Sequence, residues 1–218
     1  MAHSVLDPAG PQAAQIATLW WLMFWVSAVV FAVVVAALLG AVVRPRPRSE
    51  IADDPRLAQG EERGIGLAVG TAVAATVVIL IVLLVASVVT ERRLSSLAAA
   101  DPLTIEVIGH QWWWEVRYEA ANPTDRVVTA NEIHIPVGRP VRINLRSDDV
   151  IHSFWVPSLH GKQDLIPGHP TTTWLQADRP GVFRGQCAEF CGLQHAHMAL
   201  LVVAEPPGAF VAWLGSAR

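Results

Sequence analysis

Two long segments without a charged residue constrain this chain more than any other feature. No Asp, Glu, Lys or Arg occurs within residues 8–43 or within residues 64–90. Each segment is longer than the roughly 20 apolar residues that cross the hydrocarbon core of a bilayer. The pattern therefore predicts two transmembrane helices, at about 16–43 and 64–90. Five arginines in the connecting loop predict that the loop is cytoplasmic and that both chain ends lie on the other side.

The remainder of the chain has a globular composition and a different hydrophobic period. Short runs rich in Val, Ile, Thr and Trp alternate with Asn, Asp, Pro and Gly, which is typical of strands and turns. We predict an all-β sandwich or barrel over 101–218, after a membrane domain over 1–100, with a helical turn at Phe210–Leu214. The predicted strands are Leu103–Gly109, Gln111–Glu119, Arg126–Ile135, Pro140–Arg146, Thr171–Gln176, Val182–Gln186 and Ala199–Ala204.

The charge of the chain excludes one class of partner. The 218 residues carry 16 basic and 19 acidic side chains, a net charge of −3, and no basic stripe is present. Nucleic-acid binding is therefore disfavoured. A weakly acidic β domain suits a basic protein partner, although an ordinary soluble surface explains the same charge.

Four metal-ligand side chains occur together near the C-terminus: Cys187, Cys191, His195 and Met198. Thiolate, thioether and imidazole ligands together favour copper over hard cations. A mononuclear blue-copper site uses one Cys, so the second thiolate has a use if both sulfurs bridge two copper ions. A plain disulfide and a structural zinc site remain alternatives, but neither explains the nearby methionine.

A second imidazole must come from another part of the chain, because each copper ion of such a pair needs one. His152 is the best candidate, since it lies between predicted strands that loops can bring beside a distant segment. Within the C-terminal cluster itself, His197 is a competing candidate ligand. A lone histidine in an apolar setting is more often a buried core residue, and that alternative stays open on spacing alone.

With these residues in place, the chain resembles subunit II of the haem–copper cytochrome c oxidases. The resemblance covers nearly the whole chain, in the family's order and after its two-helix hairpin. The matching motifs are Gly109–Glu115 (GHQWWWE), Asp149–Ser158 (DVIHSFWVPS), Lys162–Gly168 (KQDLIPG), Arg179–Gly181 (RPG) and the segment from Gly185 to Met198.

The resemblance implies a cupredoxin-like Greek-key barrel that holds a dinuclear copper centre. By this resemblance Cys187 and Cys191 are the bridging thiolates, His152 and His195 are the terminal imidazoles, and Met198 and the Glu189 carbonyl complete the set. The family also implies that the Glu189 side chain reaches a magnesium ion shared with subunit I. A carboxylate is a hard ligand that suits magnesium, which agrees with this division of roles.

The family further implies an electron-entry residue at Trp112, beside which the haem edge of a cytochrome c docks. On sequence alone Trp112 can equally be an ordinary strand residue, with Trp114 on its face and Trp113 on the other. Four carboxylates are candidates for docking cytochrome c or are plain surface residues. They are Glu115, Glu119, Asp148 and Asp149.

Two positions depart from the family pattern. Glu62 stands near the start of the second helix, where the family has a proton-uptake glutamate, but the aromatic residue and proline that usually follow are missing. His169 follows Ile-Pro-Gly where the family usually has Arg, which affects an ionic contact toward subunit I. No Cys-x-x-Cys-His haem motif occurs, so a separate cytochrome c is the expected donor.

The resemblance predicts the electron-entry subunit of a terminal oxidase in the bacterial plasma membrane. Electrons would pass from cytochrome c to haem in subunit I, where oxygen is reduced and protons are translocated. Two alternatives are a copper-free subunit II of a quinol oxidase and a membrane-tethered copper carrier. The complete donor set argues against the first, and the magnesium glutamate and entry tryptophan have no use in the second.

Overall fold

A computed structural model describes residues 4–44, 55–96, 103–119 and 126–217 of the chain. Side chains are described over the same ranges except 55–62 and 95–96. The loop between the predicted transmembrane helices and the Glu62 side chain therefore lie largely outside the described residues. The described part contains two long helices, ten strands, one 3-10 turn and a short C-terminal helix.

The two apolar segments form long α-helices, as predicted. Helix α1 is Pro11–Val43 and helix α2 is Pro55–Ser96, so each begins earlier than the apolar pattern suggested. By length and composition both helices can cross a membrane. Thr71 and Thr76 each donate their hydroxyl hydrogen to the carbonyl four residues earlier, at 2.8 and 2.9 Å. These bonds satisfy polar groups on an otherwise apolar helix without a partner from outside it.

Ten strands form two five-stranded sheets. In the first sheet the order is β3-β2-β1-β5-β8, and in the second it is β4-β10-β9-β6-β7. The strands are β1 Leu103–His110, β2 Trp113–Tyr118, β3 Val127–Ala130, β4 Glu132–Pro136, β5 Val141–Ser147, β6 His152–Trp155, β7 Gln163–Leu165, β8 Thr171–Leu175, β9 Gly181–Cys187 and β10 Ala199–Glu205. The 3-10 turn is His195–His197 and helix α3 is Pro207–Ser216.

The secondary structure differs from the sequence prediction in three respects, two in the strands and one at the C-terminal helix. The predicted strand Arg126–Ile135 is split at Asn131, whose φ of 60° turns the chain from one sheet into the other. Strands β6 and β7 were not predicted, because they are short and contain polar residues. The expected turn near the C-terminus is a ten-residue helix, α3.

The core lies between the two sheets and is built from alternating side chains. In β5 the side chains of Val141, Ile143 and Leu145 are fully buried while the residues between them are not. Trp114 of β2 and Phe154 of β6 are also fully buried and meet edge to face, 5.8 Å between ring centroids. Burying each such side chain contributes about 1.5–3 kcal/mol. This part of the core lies directly beside His152, whose ring is 6.0 Å from that of Trp114.

The residues before the first membrane span belong to the β domain. The described residues up to Thr18 form one compact unit with those of 93–218, and Leu19–Arg92 forms another. The Ala9 N–H donates to the Ser158 carbonyl at 2.7 Å, and the Ala9 carbonyl accepts from the Asp178 N–H at 2.8 Å. These hydrogen bonds hold the N-terminal segment in close backbone contact with Ser158 and Asp178. The N-terminal segment is therefore a structural element of the β domain.

Gly10 lies close to the backbone of two other segments of the β domain, and its substitution tests how tightly the N-terminal segment packs there. A Cβ at Gly10 would overlap the Gln176 carbonyl oxygen and lie 3.1 Å from the Leu159 carbonyl oxygen. We expect Gly10→Ala to lower the free energy of unfolding of the β domain by about 1–3 kcal/mol. Gly208→Ala is the control, because nothing lies within 4 Å of its Cβ. Thermal unfolding followed by near-ultraviolet circular dichroism measures both, and equal melting temperatures would contradict the packing.

Candidate metal centre

The segment between β9 and β10 brings the first donors together. Cys187 ends β9, and Ala199 begins β10, where it pairs with Gln186 in an antiparallel register. The Cys187 N–H donates to the Met198 carbonyl at 2.9 Å, which closes the base of the loop. Residues 187–198, the ligand loop, therefore return to their starting point and place Cys187 beside Met198.

The two sulfurs of the ligand loop face each other without a covalent bond. Cys187 and Cys191 are free thiols with their Sγ atoms 3.8 Å apart, and both are buried. The Met198 Sδ atom lies 3.7 Å from the Cys191 Sγ atom and is also buried. Three soft donors thus converge in a pocket from which water is largely excluded.

Two imidazoles flank the sulfur pair, one on each thiol. The β6–β9 pairing, in which Phe154 is opposite Cys187, brings the fully buried His152 from a distant part of the chain. Its Nδ1 atom is 3.8 Å from the Cys187 Sγ atom. The Nδ1 atom of His195 is 3.6 Å from the Cys191 Sγ atom. Ligand atoms of His152, Cys187 and Cys191 all lie within 4.8 Å of one another.

A backbone carbonyl completes the group of donors. The Glu189 carbonyl oxygen lies 3.2 Å from the Cys187 Sγ atom. The Glu189 carboxylate points elsewhere and forms an ion pair with Lys162. The carbonyl of this residue therefore lies at the sulfurs, and the described partner of its carboxylate is a lysine; the copper and magnesium roles expected for the two groups stay predictions.

The electrostatics of the thiol pair favour a bound cation. Burial opposes ionisation of Cys187, but hydrogen bonds with His152 and with the Ser153 and Glu189 backbone outweigh burial and lower its pKa to about 6. Burial and then the charge of Cys187 raise the pKa of Cys191 to about 12. Two thiolates this close repel each other, so both ionise together only when positive charge lies between them. The donor set therefore fits soft metal ions.

Asp149 orients the buried imidazole. Its Oδ1 atom is 2.7 Å from the His152 Nε2 atom, and its two oxygens also accept the backbone N–H groups of Val150 and Gln111, each at 2.6 Å. Burial alone would raise the pKa of Asp149, but these three hydrogen bonds lower it. Because a carboxylate accepts, His152 donates from Nε2, and in the neutral ring that can bind a metal the Nδ1 lone pair faces the sulfurs. That Asp149 also takes part in docking a partner protein remains a prediction.

Trp112 lies at the rim of the site. It is half-buried and precedes β2, and its Nε1–H donates to the Cys191 carbonyl at 3.1 Å. Trp113 is the first residue of β2, is exposed and stacks on His110, with ring centroids 4.6 Å apart. The alternation expected across three tryptophans therefore holds only for Trp113 and Trp114, which begin the strand.

Two residues at the site have roles that the sequence analysis did not predict. Gln111 donates from its side-chain amide to the Cys191 carbonyl at 2.7 Å, so that two consecutive side chains share one acceptor. Gly192 has a φ of 118°, a conformation that favours glycine, and its backbone packs directly on Gln111 and Trp112. The only sequence signal for Gly192 is a glycine directly after a candidate ligand.

The other candidate residues lie around the site with partners of their own. The Glu115 carboxylate accepts from Arg117 at 2.6 Å and contacts His110 at 3.2 Å. Asp148 is half-exposed and 3.9 Å from the Arg146 guanidinium, and Glu119 is exposed and accepts from Asn144 at 3.3 Å. His169 and His197 are both exposed.

The carboxylate of Asp149 offers a direct test of the site. Asn at this position can accept from His152 or from the Gln111 N–H, but its amide cannot do both. We expect Asp149→Asn to lower copper affinity about 10- to 100-fold, measured by competition with a chelator. Asp148→Asn is the matched control, because its side chain does not contact a ligand. Equal affinity of the two variants would contradict the orienting role.

The family model and two of the most similar relatives of this chain carry the same family name. Residues 121–205 match the family model described as cytochrome C oxidase subunit II, periplasmic domain. The chain is 44% identical over 110 residues to cytochrome c oxidase subunit 2 of Alkalihalophilus pseudofirmus, covering 50% of this chain and 31% of that protein. It is 33% identical to the alternative cytochrome c oxidase subunit 2 of Bradyrhizobium diazoefficiens, covering 53% and 51%. The matches thus span about a third to a half of these relatives.

Solved structures agree with this result. The crystal structure of the periplasmic domain of subunit II of cytochrome oxidase of Bradyrhizobium japonicum has a TM-score of 0.50 and 32% identity, covering 55% of this chain and 95% of that one. A cryo-EM structure of a haem–copper terminal oxidase dimer, with a TM-score of 0.50 and 22% identity, supports the fold alone. The predicted fold, two apolar helices followed by a cupredoxin-like β domain, is confirmed. The chain belongs to the family of subunit II of cytochrome c oxidase.

Proposed function

We propose that this chain is the electron-entry subunit of a membrane-bound cytochrome c oxidase. It accepts single electrons from cytochrome c at a dinuclear copper centre and passes them to haem in subunit I. Oxygen reduction and proton translocation take place in subunit I. The observation that carries the proposal is the convergence of two free thiols, two imidazoles, a thioether and a carbonyl from segments far apart in the sequence.

The donor set divides naturally between two copper ions. Cys187 and Cys191 would bridge the ions, and His152 and His195 would each supply one imidazole. Met198 and the Glu189 carbonyl are the weak ligands. A thiolate-bridged copper pair supplies one-electron redox chemistry with little change in geometry. The protein holds the donors in place through the β6–β9 and β9–β10 pairings and excludes water from the sulfurs.

Trp112 gives the electron a short route into the site. Its indole is half-buried at the rim, and its N–H bond to the Cys191 carbonyl joins it to a bridging ligand by one hydrogen bond and a few covalent bonds. Trp114 is fully buried, and Trp113 faces away onto His110. These contacts support Trp112, of the three tryptophans, as the residue of electron entry.

The surface around Trp112 is more apolar than the net charge of the chain suggests. The Phe190 and Leu193 side chains of the ligand loop are 80% and 96% exposed. Of the four candidate docking carboxylates, Glu115 is paired with Arg117 and Asp149 is hydrogen-bonded to His152. We therefore infer that cytochrome c contacts this subunit mainly through apolar groups around its haem edge.

The remaining roles concern the membrane and the partner subunit. Helices α1 and α2 would anchor the chain in the bacterial plasma membrane, with the β domain and both termini on the extracytoplasmic side. The half-exposed Glu189 carboxylate would join a magnesium ion shared with subunit I. Lys162 holds this carboxylate in the described chain, so magnesium binding requires that the ammonium group move away.

Copper content tests the proposed function. We expect the full-length chain, purified in detergent and loaded with copper, to retain about two copper ions per chain after chelation of loosely bound metal. Cys191→Ser removes a bridging thiolate and is expected to retain at most one. Absence of tightly bound copper in a folded wild-type chain would favour a structural subunit without metal. Rapid exchange with a copper chelator would favour a carrier.

The salt dependence of electron entry tests the apolar docking surface. We expect the second-order rate of reduction by cytochrome c to change less than about threefold between about 0.02 and about 0.2 M ionic strength, because apolar side chains dominate the proposed contact and Glu115 is already paired with Arg117. Reduction by a small uncharged reductant is the control for the redox activity of the copper. A steep fall in the cytochrome c rate with added salt would contradict the apolar surface and restore the acidic residues as the docking groups.

A further inference from the structure

Gln111 connects two segments that carry ligands. Its backbone N–H donates to the Asp149 Oδ2 atom at 2.6 Å, and Asp149 in turn accepts from His152 at 2.7 Å. Its side-chain amide donates to the Cys191 carbonyl at 2.7 Å. Gln111 is not a candidate ligand, yet it contacts both Asp149, which holds the buried imidazole of His152, and the backbone of Cys191.

The contact between Gln111 and the ligand loop leaves no spare room. A Cβ at Gly192 would lie 3.0 Å from the Gln111 Nε2 atom and 3.1 Å from the Trp112 ring. The Gly192 backbone, with its φ of 118°, thus packs against the two residues that share the Cys191 carbonyl. Atoms packed this closely fix the position of Cys191 relative to Trp112.

We propose that Gln111 is a positioning residue that sets the geometry of Cys191 and of the entry tryptophan. This role rests on the proposed function of the site. Without the Gln111 amide, the Cys191 carbonyl keeps the Trp112 N–H as its side-chain donor, and the ligand loop loses its second attachment. The Cys191 sulfur then varies in position relative to Cys187, and a single hydrogen bond from Trp112 is left to hold the indole against the proposed bridging residue.

The surroundings of Gln111 favour a role at the site over a role in folding. Gln111 is exposed and lies in the turn between β1 and β2, outside the core between the sheets. Its side-chain bond reaches 80 residues along the chain, to the ligand loop. Removing the amide therefore changes the ligand loop while leaving the strands and the core packing in place.

Gln111→Leu in the full-length chain tests the proposal, with Gln194→Leu as the control for the same chemical change at an exposed position of the loop. In copper-free protein we expect the thiols of Gln111→Leu to react with a thiol reagent about tenfold faster, because a buried carbonyl loses one of its donors. In copper-loaded protein we expect altered copper hyperfine splitting and slower reduction by cytochrome c. Reduction by a small reductant should change less.

Gln111→Met provides a second variant, because its side chain is about as long as glutamine but has no hydrogen-bond donor for the Cys191 carbonyl. Both variants should raise the thiol reactivity by a similar factor, because both remove the same donor. Wild-type thiol reactivity and hyperfine splitting in the two variants would overturn the proposal. Failure of the wild-type chain to bind copper would instead overturn the proposed function, while the thiol measurement on copper-free protein still tests Gln111.

Discussion

Two thiols 3.8 Å apart in a buried pocket create the constraint on which the rest of the site depends. One thiol ionises readily and raises the pKa of the other, so the pair carries two negative charges only around a cation. Strand pairing produces this arrangement, because β9 lies between β6 and β10 and so brings Cys187 beside His152 and Met198. The β domain therefore holds two thiols close together that do not both ionise unless a cation is bound between them.

A set of hydrogen bonds near Trp112 supports the positions of His152 and Cys191. Asp149 holds His152 with its Nδ1 atom toward the sulfurs, and Gln111 and Trp112 hold the carbonyl of Cys191. The same contacts connect the surface to the ligands, since Trp112 is at the rim and Cys191 is inside. Under the proposed function, the rigidity of the site and the entry of electrons therefore depend on the same few residues.

The elements with strong local signals were predictable from the sequence. Uninterrupted apolar runs predict the two long helices, and soft donors at close spacing predict the ligand loop. The split at Asn131 depends on one residue with positive φ, and β6 and β7 are too short and polar for a periodicity argument. The role of Gln111 depends on contacts with Asp149 and Cys191, which lie 38 and 80 residues away along the chain and which no local pattern encodes.

The electron paramagnetic resonance spectrum of the copper-loaded, full-length chain tests the central claim most directly. If Cys187 and Cys191 both bridge, one unpaired electron is shared by two equivalent copper nuclei, and the hyperfine pattern contains more lines than a single copper nucleus can give. The proposed function predicts that pattern. A spectrum of one isolated copper nucleus would contradict the bridging roles of the two cysteines and with them the account of the site.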